Sequence, residues 1–570
     1  MFVYEAVGET LKRLGVNTIF GLMGDGNMRF ISHAAGALGL TYYGARHEGG
    51  AVAMADGYSR AGNGVGVCTV TQGPGVTNTV TALTEAVKAG SPLVLVAGNT
   101  PTISLRHSQA IDQDAVFAAI GAGVQRLRGA PTIVFDVARA FNRAILEQRP
   151  IALSIPTEMS GQPCPSEPLE AVKLQAVTRH RPEDEAIEAV CRMIAQCERP
   201  VILAGRGATK SRARGALEAL GDRIGALLAT SVQAKGFFSG NRYDAGISGG
   251  FASEAACRLL ERADLVLAFG ASLTHWVTRN REQYSASAKY VHVDSRPAAI
   301  GALTRVDVGV LGDATATAEA LTQALERTAL SKPGFRIASL EKEVDALHAA
   351  PAFEDRSEDD AIDPRALMRR AETMLPAQRT VVCDSGHAMG WAVQFLSAPD
   401  SNGFIFSNDF MAVGLGLGTA FGAAIARPDR LTVLAPGDGG LMMGLPDLET
   451  VARYRIPMLI LVINDGGYGV EVHILRSLDQ PTTHAEFPDV DFAAVAKAFG
   501  AHALTVRKLQ DLELLKVWLA APHGPMLVDC KVNRRVLGSW FEENLDPGSW
   551  FGRMGRPQPA PGARNSDKRP

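Results

Sequence analysis

Apolar runs of five to seven residues, each closed by glycine, proline or a polar turn, recur along the chain. Val65-Gly-Val-Cys-Thr-Val70, Pro92-Leu-Val-Leu-Val-Ala97 and Ile151-Ala-Leu-Ser-Ile155 form a first group. Pro200-Val-Ile-Leu-Ala204, Asp264-Leu-Val-Leu-Ala-Phe269 and Tyr290-Val-His-Val-Asp294 form a second. Leu431-Thr-Val-Leu-Ala-Pro436, Pro457-Met-Leu-Ile-Leu-Val-Ile463 and Pro525-Met-Leu-Val-Asp-Cys530 form a third. Runs that stay apolar, rather than alternating, predict strands buried on both faces, as in parallel sheets covered by helices. Helical spacing lies between them, for example near Glu183–Gln196. The pattern predicts three α/β blocks, over residues 1–165, 180–328 and 360–535. Proline-rich Gln162-Pro-Cys-Pro-Ser-Glu-Pro168 reads as the first linker, and the stretch from Ser331-Lys-Pro-Gly334 to the charge-rich Glu354–Asp360 as the second. Residues 547–570, rich in Gly, Pro, Arg and Ser, lack periodicity and are expected to form an extended or disordered tail.

Bulk properties narrow the class. A chain of 570 residues is too long for one core. Hydrophobic residues at 46% and charged residues at 21% are ordinary for a soluble globular protein. A net charge of −3 without a long basic run argues against nucleic-acid binding. The seven cysteines are scattered and show no CxxC, which argues against a disulfide framework or a zinc site and suits a reducing cytoplasm. Val3-Tyr4-Glu5-Ala6-Val7, followed by Leu11 and Leu14, has the acids and spacing of a helix rather than of a signal peptide. No apolar stretch is long enough to span a bilayer, so a membrane partner is not expected.

Candidate chemistry sits at the ends of the runs. Gly437-Asp438-Gly439 follows one strand and Asn464-Asp465-Gly466-Gly467 the next. Two oxygen ligands at the ends of neighbouring strands can hold one hard cation, where open α/β sheets bind ligands. Magnesium there would hold a diphosphate. In Arg46-His47-Glu48-Gly49-Gly50-Ala51, Glu48 stands where a strand gives way to a helix rich in small residues. By itself it reads as a carboxylate favoured by the helix dipole. Thr71-Gln72-Gly73-Pro74-Gly75-Val76-Thr77-Asn78 is a glycine-rich turn of low specificity for phosphate.

Taken together and in this order, the motifs resemble those of the thiamine diphosphate enzymes of the acetolactate synthase group. That group includes benzoylformate and pyruvate decarboxylases, pyruvate oxidase, oxalyl-CoA decarboxylase and benzaldehyde lyase. The resemblance covers about residues 1–535. It implies an α/β fold of three doubly wound parallel-sheet domains: pyrimidine-binding, central and diphosphate-binding. The cofactor is then expected between the first domain of one subunit and the last of another, in a homodimer or homotetramer. Glu48 matches the glutamate that activates the cofactor through its aminopyrimidine ring. Asp438 matches a metal ligand, and Asp465 the second, where many relatives have asparagine; Asn464 takes its place if the loop shifts. The backbone carbonyl of Gly467 is the implied third ligand. Gly439, Gly440 and Leu441 would offer N–H groups to phosphate, with Tyr468 in the adjoining cofactor loop. Gly386 and His387, in Ser385-Gly386-His387, match a further diphosphate contact, an ordinary loop histidine being the other reading. In Phe410-Met411-Ala412-Val413-Gly414-Leu415-Gly416, Val413 matches the apolar wedge between the cofactor's rings. The Met411 carbonyl would accept from the aminopyrimidine. A helix start rich in packing glycines is the alternative.

Reaction type rests on fewer residues. Glu471 matches a catalytic glutamate of pyruvate decarboxylase-type enzymes, and in an apolar place its carboxyl would suit acid–base work; a solvated carboxylate on the next helix is the bland reading. His107 and Gln113 match a loop that faces the thiazolium. Acetolactate synthases commonly carry a tryptophan where this chain has Ile474. They also place an arginine for the second substrate's carboxylate where this chain runs Gly270-Ala-Ser-Leu-Thr-His-Trp-Val-Thr-Arg279. The expectation is magnesium-dependent decarboxylation of a 2-oxo acid, with or without transfer of the acyl anion. Acetolactate-type carboligation, an oxidase with FAD near Gly205-Arg206-Gly207-Ala208, and a catalytically silent subunit are the alternatives.

Overall fold

The computed structural model describes residues 1–62, 64–104, 106–164, 178–350, 352–550 and 552. Within the first linker, residues 165–168 lie outside this range, as does the tail from 553. Among the described residues, eighteen strands form three six-stranded sheets, and every pairing between neighbouring strands is parallel. The first holds β1 (Thr18–Gly21), β2 (Thr41–Gly44), β3 (Gly66–Val70), β4 (Leu93–Asn99), β5 (Gly123–Gln125) and β6 (Pro150–Pro156) in the order β2-β1-β3-β4-β6-β5. The central sheet holds β7 (Pro200–Ala204), β8 (Leu227–Thr230), β9 (Asp244–Ile247), β10 (Leu265–Phe269), β11 (Lys289–Asp294) and β12 (Val308–Leu311), ordered β12-β11-β10-β7-β8-β9. The third holds β13 (Arg379–Cys383), β14 (Phe404–Phe406), β15 (Leu431–Ala435), β16 (Met458–Asn464), β17 (His502–Val506) and β18 (Met526–Lys531), ordered β14-β13-β15-β16-β18-β17. The first and third sheets therefore share one topology.

The unbroken apolar runs are explained by burial on both faces. In the central sheet Ile202, Leu267 and Val293 belong to one core, and Val201, Leu203 and Val266 to the core on the opposite face. Among the described residues no helix is long and apolar enough to cross a membrane.

The chain divides into two compact units. One comprises Met1–Thr178, Glu354–Gly469 and Ala485–Arg534, and the other Arg179–Phe353, Val470–His484 and Arg535–Pro570. In the first unit, one core runs from Phe20, Met54 and Leu95 through Phe421, Leu448 and Ile460. Its centre is the pair α1 (Glu48–Gly62) and, after α2 (Val80–Ala89), α3 (Gly416–Ala426). A Cβ on Gly57 would stand 2.0 Å from the Thr419 carbonyl oxygen, and one on Gly422 1.8 Å from that of Met54. The two helices thus touch backbone to backbone, which only glycine permits.

In the second unit, the C-terminal segment is described as far as Trp550, and at Gly552. Trp550 is 2% exposed and packs edge-on against Trp276 at 5.3 Å.

Candidate functional site

The third sheet builds the first half of the site at its strand ends. β15 leads through Gly437 into α4 (Asp438–Met443), so Asp438 opens a helix beside the end of β16. Asn464 is engaged away from Asp438. Its amide donates to Asp529 at 2.9 Å and its oxygen accepts the Gly466 N–H at 3.2 Å. Asp465 is the residue that meets Asp438, and the two carboxyls share a hydrogen bond. Burial pushes Asp438 up to about 6, while burial and the Asp438 charge hold Asp465 well above the usual carboxylate range. Arg534 tempers this, with its guanidinium against the Gly466 carbonyl at 3.4 Å and Glu486 at 2.8 Å. The N–H groups of Gly439 and Gly467 donate to Asp438.

Two crowded carboxyls favour a cation between them. Among the described residues no third His, Cys, Asp or Glu joins a metal cluster. The remaining ligands must then be backbone, water or phosphate oxygens, a donor set that suits a hard cation such as magnesium. Three loops converge here. A Cβ on Gly469 would meet Asp465 Oδ2 at 2.8 Å and His387 Cβ at 3.0 Å, and one on Gly439 would meet the Tyr468 ring at 2.8 Å. His387 is buried and stands edge-on to Trp391 at 5.4 Å. Gly386, with φ +96°, makes the turn that brings it in.

The loop before α3 is held by a residue that sequence reasoning missed. Asp384, just beyond β13, is buried, and both its oxygens accept the Gly414 N–H, at 3.1 and 3.0 Å; it also accepts from Ser385 at 2.8 Å. Burial pushes its carboxyl up to about 6 against the pull of these donors. An aspartate directly after an apolar strand and before Ser-Gly-His was the available signal. The loop it steadies carries Met411 with φ +59°, a left-handed conformation costing a non-glycine residue about 1–2 kcal/mol. Met411 is 58% exposed and Val413 37%. A Cβ on Gly440 would come within 3.4 Å of Val413, so this loop lies beside the loop that carries Asp438. Just beyond this loop, Gly418 and Gly422 pack on α1.

The first sheet builds the other half. Glu48 is 9% exposed at the start of α1, and Asn78 donates to its Oε2 at 2.9 Å. A Cβ on Gly75 would lie 3.7 Å from Glu48 Oε1, so the glycine-rich turn serves the glutamate's surroundings. Gln113 lies against the glycine-rich turn. It is buried, its oxygen accepts the Gly73 N–H at 2.9 Å, and its amide donates to Gly98 at 3.0 Å and Ser154 at 3.3 Å. Those bonds make it a strut for the turn. His107 is half-buried and its Nδ1 accepts the Gln109 N–H at 3.2 Å. Gln109 bonds Gln72 at 2.9 Å, and Gln72 donates to Asp25 at 2.9 Å. Asp25, for which sequence reasoning found no role, and Gln72 of the glycine-rich turn thus join the His107 loop.

In the second unit, Glu471 lies on α6 (Gly469–Ser477), which follows α5 (Pro446–Arg453) in the chain. It is exposed rather than held in an apolar place, because the buried positions of this helix are Val472 and His473. At the central switch point, Gly207 donates to the Gly270 carbonyl at 3.0 Å, and a Cβ on Gly205 would stand 2.2 Å from the same oxygen. Loop packing accounts for these glycines, and the Gly205-Arg206-Gly207-Ala208 segment gives no support to a flavin.

The matched sequence families agree with this arrangement of strand-end loops. The N-terminal TPP binding domain of thiamine pyrophosphate enzymes matches residues 1–119, their central domain residues 187–321, and their C-terminal TPP binding domain residues 384–530. The chain belongs to the thiamine pyrophosphate enzyme family. It is 29% identical over 550 residues to the acetolactate synthase large subunit of Parasynechococcus marenigrum, covering 93% of this chain and 87% of that protein. It is 28% identical over 560 residues to the sulfoacetaldehyde acetyltransferase of Castellaniella defragrans, covering 93% and 91%. The thiamine diphosphate-dependent 4-hydroxybenzoylformate decarboxylase of Rhodococcus jostii RHA1 shares the fold, with a TM-score of 0.80 at 21% identity over 94% of this chain and 99% of that one.

Proposed function

We propose that this protein decarboxylates a 2-oxo acid using thiamine diphosphate and magnesium, with transfer of the resulting acyl anion to a carbonyl acceptor as an accompanying activity. When bound, thiamine diphosphate supplies the carbon nucleophile and the electron sink. Asp438 and Asp465 would hold the cation, and the N–H groups opening α4 would hold the diphosphate. Glu48, oriented by Asn78, would hold a proton at the aminopyrimidine edge. Met411 and Val413 would set the cofactor's bend, and Glu471 or His107 would hand a proton to the product carbon. The exposed apolar groups Met411, Val413, Met442, Met443 and Tyr468 around the diphosphate loops fit a site completed by a second copy of the chain. The seven cysteines, none of them in a disulfide, fit a cytoplasmic location.

Trp276 carries the preference for decarboxylation over acetolactate formation. In the run where acetolactate synthases place a carboxylate-binding arginine, Trp276 stacks on Phe251 at 5.9 Å, and Arg279 is engaged by Glu543 and Cys257. Carboligation of the acetolactate type is the second reading, favoured by the identity to acetolactate synthases. Incubation with thiamine diphosphate, magnesium and a panel of 2-oxo acids, with carbon dioxide and ligation products measured separately, tests the choice. Carbon dioxide without acetolactate is expected. No carbon dioxide from any 2-oxo acid would refute the proposal.

A further inference from the structure

The loop that carries Met411 and Val413 is gripped from the first sheet's side by a buried cluster that the proposed chemistry does not use. Glu85, on α2, accepts the backbone N–H of Asp409 at 2.9 Å and of Phe410 at 2.6 Å, one on each carboxylate oxygen. Arg60, on α1, reaches the Phe406 carbonyl at 2.8 Å, Glu85 at 3.0 Å and Asp409 at 3.0 Å, and is paired with Asp56 at 2.9 Å. Its side chain and that of Glu85 are almost wholly buried. Lys88, one turn beyond Glu85 on α2, places its ammonium 5.7 Å from the centre of the Phe410 ring. The backbone and the ring of one residue pair are thus held by one helix, immediately before a methionine in the left-handed region.

We propose that Glu85, Arg60 and Lys88 form a clamp whose task is to set the position of the Met411 carbonyl and the Val413 side chain, making them positioning residues for the pyrimidine end of the cofactor. Glu85 is suited to this because two N–H groups of consecutive residues can be fixed by one carboxylate only in one orientation of the chain. Arg60 fixes the carboxylate in turn. A loop whose next residue is strained needs such an external hold, since relaxation of Met411 toward negative φ would rotate its carbonyl away. The clamp leaves the diphosphate end alone, because Asp438, Asp465 and the α4 N–H groups stand on other strand ends.

This inference rests on the cofactor reading above, and the test separates the two. Dissociation constants for thiamine diphosphate and for inorganic pyrophosphate, each with magnesium, are measured by fluorescence titration on the wild type and on Glu85→Ala, Glu85→Gln and Lys88→Met. Glu85→Ala is expected to weaken thiamine diphosphate at least tenfold and leave pyrophosphate within twofold. Glu85→Gln, which keeps one acceptor, should recover part of the loss. The exposed Lys88→Met, which does not endanger folding, should weaken thiamine diphosphate two- to fivefold. Equal losses for both ligands, or none for either, would overturn the clamp while the wild type's binding still upheld the cofactor reading. A wild type that takes up neither ligand would overturn both.

Discussion

Replacing Gly422 by alanine probes the contact on which the first unit is built. The added Cβ would stand 1.8 Å from the Met54 carbonyl oxygen and 2.7 Å from the Tyr58 nitrogen, where ordinary contact begins near 3.4 Å. Both neighbours are backbone of α1, so no side chain can swing aside and the helices must part by about 1.6 Å. Over-packing of this kind costs about 1–3 kcal/mol, and a clash with rigid backbone belongs at the upper end, about 2–3 kcal/mol. Gly57→Ala, 2.0 Å from the Thr419 carbonyl, should cost a similar amount. Once one substitution has parted the helices, the second meets less resistance, so the double variant should cost less than the sum. Urea unfolding followed by far-ultraviolet circular dichroism measures all three, with Gly215→Ala as control. Gly215 lies exposed in a helix with nothing within 4 Å of its Cβ position, and that change should stabilise by about 0.5–1 kcal/mol. A Gly422→Ala variant within about 0.5 kcal/mol of the wild type, or strictly additive costs, would refute the backbone contact.

Glu48→Gln should leave the unfolding curve unchanged while turnover falls by at least about a hundredfold, the scale of a lost proton-handling group, as read from the rate of carbon dioxide release. Asp447, buried on α5 and accepting the Arg46 N–H at 2.9 Å, is pushed up to about 6 by burial. Its folded pKa lies above the unfolded one, so its contribution to stability is full below pH 4 and is lost as pH rises through 6, about 2–3 kcal/mol in all. Asp447→Asn should flatten that part of the pH–stability curve. Chelation of divalent ions should abolish thiamine diphosphate uptake and remove the stabilisation it confers, about 2.7 kcal/mol at a hundredfold excess over Kd, measured as a fall in Tm that magnesium restores.

What was legible in the sequence is what one strand and its following loop determine locally. Unbroken apolar runs place the strands, since a strand covered on both faces has no polar side to show. The acids after them, Asp438 and Asp465, are fixed at strand ends by chain order alone, and Glu48 likewise at a helix start. Tertiary structure decided which of these groups face one another. Asn464 turns to Asp529 and leaves Asp465 to meet Asp438. Gln113 bonds Gly73, Trp550 is drawn into an aromatic cluster, and Asp384 and Glu85 hold a loop 30 to 325 residues away in sequence. These roles have no periodic signature. A hydrogen bond between distant segments depends on how sheets and helices stack, and that is set by backbone contacts such as Gly57 on Thr419, which a sequence shows only as one glycine among many.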